Sequence, residues 1–150
     1  MGSSHNSQRI DAPVARVFEQ LLDATSYPDW LVGAQAITEV DDSWPSVGSS
    51  FHHRIGVGPL RIPGSTTIAA LEPDRTLVLR AGMGPLGEAE VRFALEPDGD
   101  ATVIEMDEVP SKGVVRATDR VTGALVPMML WGRNHISMDQ FVELTEQRGR

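Results

Sequence analysis

The sequence predicts an α+β domain in which a curved antiparallel sheet of about seven strands closes around one long C-terminal helix, with two short helices after the first strand. Three observations carry that class. Between residues 35 and 109, apolar and polar residues alternate with the period of a strand, and the breaks between runs are too short to hold crossover helices. From Val114 to Gln147 the period becomes helical: Val121, Leu125 and Met128 fall at i, i+4 and i+7, and His135, Met138, Phe141, Val142 and Leu144 resume the apolar stripe. Ahead of the sheet, Val14, Val17, Phe18, Leu21 and Leu22 give the spacing of one amphipathic helix. A C-terminal helix of about 30 residues would be about 45 Å long, enough to cross a small domain. With so much apolar surface it must lie against something large, and the sheet is the available partner.

Bulk properties narrow the function classes. The 150 residues fit a single domain spanning 1–150, long enough to bury a core without staples. A formal charge of −8 argues against nucleic acid, whose phosphates need a basic surface, and against electrostatic docking on anionic membranes. With no Cys there is no thiol catalysis, disulfide or thiolate metal site. The first ten residues are polar, so neither a signal peptide nor stable membrane insertion is expected, and a cytoplasmic setting is the natural one. Nothing in the composition separates monomer from homodimer.

Taken in order, residues 3–10 read as a first strand. Asp11 is expected to cap the helix that follows, with Pro13 in its first turn and the end near Asp23. Ser26-Tyr-Pro-Asp-Trp-Leu31 begins a second, shorter helix that turns Trp30 and Leu31 inward. Strands are expected at about 35–41, 49–57, 60–71, 75–81, 88–96 and 101–109. The clearest is Glu88 to Glu96, with Ala89, Val91, Phe93 and Leu95 on one face and Glu88, Glu90, Arg92 and Glu96 on the other. Gly123 and Pro127 predict a kink or a fresh helix start near 123–127, because proline supplies no N–H and clashes with the preceding turn.

The connections fall into two groups. Glu72-Pro-Asp-Arg75 and Glu96-Pro-Asp-Gly-Asp100 are charged tight turns at one end of the meander. The other end receives Gly56-Val-Gly-Pro-Leu60, Gly82-Met-Gly-Pro-Leu86 and the run from Val109 to Gly113, the first two nearly the same sequence, apolar and rich in Gly and Pro. Val57, Pro59, Met83, Pro85 and Pro110 would rim a cavity mouth there, although the same residues also suit plain hairpins.

Few residues offer chemistry. Residues 82–87 match G-x-G-x-x-G literally, but a strand follows and Pro85 lacks an amide, so the run is a hairpin rather than a dinucleotide site. His52 and His53 are neighbours on a strand and point to opposite faces, so they cannot share a metal; no metal and no cofactor is expected. If Phe51 and Ile55 face inward, so does His53. Placing Ile104 and Met106 inward also turns Thr102 and Glu108 inward, and a buried carboxylate needs either a partner, with Arg54, Arg61 and Lys112 as candidates, or a function. His53 and Glu108 are the only, and weak, candidates for general acid–base work.

Ile10-Asp-Ala-Pro-Val-Ala-Arg-Val-Phe-Glu-Gln-Leu-Leu-Asp23, followed by Tyr27-Pro-Asp-Trp30, Val47-Gly-Ser-Ser-Phe51 and Arg133-Asn134, resembles the START-like helix-grip (SRPBCC) superfamily, nearest to its bacterial polyketide cyclase/dehydrase and lipid-transport group. The resemblance covers nearly the whole chain, and it implies a cavity between the sheet and the C-terminal helix. Family members that cyclise polyketides set polar and aromatic residues inside that cavity, whereas the one tyrosine here, Tyr27, lies in the short-helix motif. The leading expectation is therefore binding of a small hydrophobic molecule, as carrier or sensor. The walls would be Trp30, Phe51, Val91, Phe93, Met106, Met128 and Met129, with His53, Arg54 or Glu108 as polar contacts. A cyclase or dehydrase, or an interaction module resembling the activators of a chaperone ATPase, are the alternatives.

Overall fold

The computed structural model describes residues 4–31, 34–57, 60–82, 87–112 and 125–148, with the backbone alone at 4, 56–57, 60, 110–112 and 125–133. Seven strands form one antiparallel sheet: β1 (Ser4–Ile10), β2 (Ala34–Val40), β3 (Ser50–Val57), β4 (Leu60–Glu72), β5 (Thr76–Gly82), β6 (Glu88–Asp98) and β7 (Ala101–Lys112). Their order is β1-β7-β6-β5-β4-β3-β2. The chain leaves β1, crosses to the far edge through α1 (Val14–Leu22), a 3₁₀ turn (Ala24–Ser26) and α2 (Tyr27–Trp30), and then meanders back until β7 lies beside β1. The last element is α3 (Leu125–Arg148), packed mainly along β1 and against α2.

Each strand lies within one to three residues of its expected bounds, because alternation is unambiguous where one face is buried. Along β6, Ala89, Val91, Phe93 and Leu95 are buried while Glu90, Arg92 and Glu96 are exposed. The two charged turns close the same end of the sheet: Asp74 and Gly99 take φ of 61° and 62°, the left-handed conformation that Asp-containing turns and glycine tolerate.

The start of α1 differs from expectation. Pro13 occupies the cap position and no side chain caps the helix, so Asp11 is not its N-cap. Its amide N–H instead donates 2.8 Å to Glu146 Oε2 on α3, which fastens the β1–α1 corner to the last helix. At the other end of α1, where the final carbonyls have no helical partner, the Tyr27 hydroxyl donates 2.7 Å to the Leu21 carbonyl and Trp44 Nε1–H donates 2.8 Å to that of Leu22. Pro127 lies within the described helix; residues 113–124, on which the expected kink or helix start near 123–127 partly falls, lie outside the described part.

The core runs from the N-terminal helices across the sheet to α3. Trp30 is fully buried, its ring centroid 4.7 Å from that of Tyr27, 4.9 Å from Phe141 on α3 and 6.3 Å from Phe93 on β6. Tyr27 in turn meets Phe51 at 4.9 Å, and Trp44 meets Phe51 at 5.1 Å. The tilted and edge-on arrangements suit the ring quadrupoles and contribute about 0.5–1.5 kcal/mol per pair beyond burial.

Candidate functional site

The register fixes what the inner face of the sheet presents. One row runs Asn6, Met106, Phe93, Leu77 across β1, β7, β6 and β5. The next runs Glu108, Val91, Leu79, Ile68. Beyond it lies Ala89, Ala81, Thr66, Phe51, and then Gly64 beside His53. Large apolar side chains thus fill the end of the sheet that carries the charged turns. Towards the apolar loops β5 and β6 step down to Ala81 and Ala89 and β4 to Thr66 and Gly64, whereas β3 keeps Phe51, His53 and Ile55, with Ile62 opposite Ile55.

His53 is buried on this face, centred 5.4 Å from the Phe51 ring. Its Nε2 lies 3.3 Å from Thr66 Oγ1, and Nδ1 has no hydrogen-bond partner in bonding geometry among the described residues. Burial lowers its pKa below the usual histidine value; the nearby backbone of Arg54 opposes the shift and His52 adds to it. The ring is therefore neutral at pH 7 and offers one nitrogen as donor and one as acceptor. It leans across β4: a Cβ on Gly64 would stand 3.1 Å from His53 Cε1 and 2.7 Å from Ile55 Cδ1.

Glu108 is buried near the other edge, where Asn134 Nδ2 of α3 donates 2.8 Å to its Oε1. This carboxamide is one partner of the carboxylate; the side chain of Lys112, one of the cations expected from sequence, lies outside the described residues. Arg54 is exposed, since alternation sends the residue after an inward His53 to the opposite face; the sequence reading of Arg54 as a polar contact in the cavity is corrected accordingly. His53 and Glu108 stand four strand spacings apart, about 19 Å along the sheet at about 4.8 Å per strand, so they do not form a dyad.

Of the other expected wall residues, Phe51, Val91, Phe93 and Met106 lie buried on the inner face. Trp30 sits above them in the aromatic cluster rather than on the sheet. Met128 and Met129 fall within α3, but their side chains lie outside the described residues, as do those of Val57 and Pro110. Pro59, Met83 and Pro85 lie outside the described residues altogether.

Sequence reasoning passed over Asn6, which is buried on β1 with neither amide atom hydrogen-bonded among the described residues, and Trp44. The signal for Asn6 was available: it shares the parity of Ile10 on the first strand. Away from the inner face, an open groove of about 440 Å³ lies between α1 and the end of α3, lined by Arg16, Glu19, Gln20, Leu22, Asp23 and Arg148. Arg148 Nη1 is 3.2 Å from Asp23 and Nη2 is 3.7 Å from Asp29, so this groove holds a charged latch between helices. Among the described residues no three His, Asp or Glu side chains gather closely enough to hold a metal ion, and no helix is long and apolar enough to cross a membrane.

A family model described as polyketide cyclase / dehydrase and lipid transport matches residues 1–142. Comparison with curated proteins gives no match. Among solved structures, protein TTHA0849 from Thermus thermophilus is similar at a TM-score of 0.76 and 12% identity, covering 99% of each chain. Protein CV1439 from Chromobacterium violaceum aligns at 0.73 and 15% identity, covering 97% of this chain and 99% of that one. The Zhui aromatase/cyclase from Streptomyces sp. R1128 aligns at 0.70 and 16% identity, covering 99% and 95%. At these identities the likeness is one of fold: an α+β sheet gripping a C-terminal helix.

Proposed function

The chain belongs to the polyketide cyclase / dehydrase and lipid transport family, and from that premise we propose that it binds a small hydrophobic molecule between the inner face of the sheet and α3, as a carrier or sensor. One observation carries the reading. Towards the apolar-loop end the inner face loses side-chain bulk on β5, β6 and the middle of β4, where Ala89, Ala81, Thr66 and Gly64 stand in place of the leucine, phenylalanine and methionine of the opposite end, while Phe51, His53 and Ile55 on β3 wall that stretch on one side. An interior packed for stability alone keeps its volume filled to crystal-like density. A face that steps down in size beside one neutral, partly unpartnered histidine has the design of a ligand pocket: mostly apolar, with a few placed polar groups.

In this reading Phe51, Val91, Phe93 and Met106 form the apolar wall and His53 is the polar contact. Trp30 closes the inner end. Titration with Nile red tests the proposal: a saturable 1:1 signal, weakened by bulk introduced at Ala81, supports it, and purely linear uptake counts against it.

A second reading has one observation in its favour. Burial favours the neutral form of His53, and among the described residues its Nδ1 has no partner in bonding geometry, as a general base requires. In a cyclase or dehydrase it would act alone, because Glu108 is too distant to assist. Turnover of a poly-β-ketone substrate that is lost in His53→Ala, with dye binding retained, would favour this reading over simple carriage.

A further inference from the structure

Asn6, on the inner face of β1, has its whole amide enclosed: it is 5% exposed, and among the described residues neither Nδ2 nor Oδ1 finds a hydrogen bond. Its surroundings follow from register. Asn6 stands opposite Met106 and Ser4 opposite Glu108, so Asn6 and Glu108 share a face one diagonal apart, about 7–8 Å between Cα atoms. The helix above runs in step with β1. Gln8 Nε2 donates 2.7 Å to Asp139, and three residues on the Asp11 amide donates to Glu146. Three extended residues advance about 10 Å, and the seven helical residues from 139 to 146 advance about 10.5 Å. Two residues back from Gln8, the same pace reaches four to five helical positions back, at about Asn134. Asn134 is itself buried and donates to Glu108. Asn6, Glu108 and Asn134 are thus gathered into one enclosed polar niche between β1, β7 and α3.

Resting on the proposed pocket, we infer that this niche recognises a hydroxyl group on the bound molecule and that Asn6 determines specificity for it. A carboxamide offers two donors and an oxygen acceptor. A hydroxyl answers both kinds at once, whereas a carbonyl answers only the donors and a hydrocarbon answers neither. The row Met106, Phe93 running on from Asn6 would take the apolar body of the same molecule. An unpaired, buried amide costs the free protein stability, and a ligand hydroxyl relieves that cost on binding. Because both amide atoms are out of solvent contact, side chains between β1 and α3 must rearrange to admit it.

The test uses the full chain with bound Nile red, displaced in turn by 2-naphthol and by naphthalene, in wild type and in Asn6→Leu. The quantity read is the ratio of the two dissociation constants within each protein. Wild type should favour 2-naphthol, and Asn6→Leu should reduce that preference about tenfold, equivalent to ~1.4 kcal/mol. Should the leucine variant not fold, Asn6→Ala removes the same amide with less bulk and is read in the same way. An unchanged ratio overturns the inference, leaving Asn6 served by an ordered water or simply unpaired. Displacement by naphthalene with no preference for 2-naphthol overturns it while leaving the pocket standing. Failure of both compounds to displace dye from wild type overturns the inference and the pocket together.

Discussion

Tyr27→Phe removes one oxygen and leaves the ring. The ring holds its position through Trp30 at 4.7 Å and Phe51 at 4.9 Å, so the variant should keep its packing. What it loses is the 2.7 Å hydrogen bond from the hydroxyl to the Leu21 carbonyl, one of the α1 carbonyls that the helix itself cannot satisfy. Leu21 is fully buried and Tyr27 1% exposed, so water does not replace the lost donor. Leaving a buried carbonyl unpaired costs about 1–3 kcal/mol, a large share of the roughly 5–15 kcal/mol that holds a domain folded. At about 2–4 °C per kcal/mol for a chain of this size, the melting temperature should fall by about 2–12 °C. Burial, with Asp23 adding to it, raises the phenol pKa above its ordinary value of 10. The folded state therefore holds this proton more tightly than the unfolded one, and the associated stability is intact below pH 10 and lost as pH rises beyond it. Tyr27→Phe should lack that alkaline loss. Urea denaturation at pH 7.5 and pH 10.5 reads both effects, and a Nile red titration should show affinity unchanged. A stability within about 0.5 kcal/mol of wild type would refute the capping argument; a collapse in affinity would show that the hydroxyl faces the ligand.

Other consequences follow from the same geometry. The lowered pKa of His53 means that the unfolded chain takes up its proton first, so stability should decline as pH falls through about 6.5 towards the folded value, and this component should be missing from His53→Gln when urea midpoints at pH 7.5 and 5.5 are compared. In Gly64→Ala the new methyl meets Gly82 O and His53 Cε1 at 3.1 Å and the flexible Ile55 tip at 2.7 Å. Stability should drop by about 1–2 kcal/mol, the overpacking cost less the gain from stiffening the unfolded chain, and the His53 ring resonances should shift. Glu108→Ala takes away the acceptor of a fully buried Asn134 and should cost about 1.5–3 kcal/mol in chemical denaturation.

The order of elements was legible because the signals are periodic and local. Alternation in β3, β6 and β7 determined which side chains face inward, including His53, Thr102 and Glu108, and two Pro-Asp turns placed one end of the sheet. Side-chain partners were not legible. Glu108 meets Asn134, a contact the sequence reading did not name because it depends on where a helix 26 residues further on is docked. The Asp11 amide bonds Glu146 for the same reason, across 135 residues of chain. Arg54 shows a different kind of miss: it was grouped with His53 although strand parity alone separates them. The size gradient on the inner face needs the register of four strands, β3 to β6, before Gly64, Thr66, Ala81 and Ala89 can be seen as neighbours.

The most direct test of the central claim is a methyl-selective NMR titration of the protein with naphthalene. If the inner face is the site, saturable shifts should concentrate on Val91, Met106, Leu79 and Ala81, with the outward methyls silent. If shifts are non-saturating, or gather on the exposed Val47, Val109 and Ile136 instead, the protein takes up apolar molecules on its surface and the proposed pocket is contradicted.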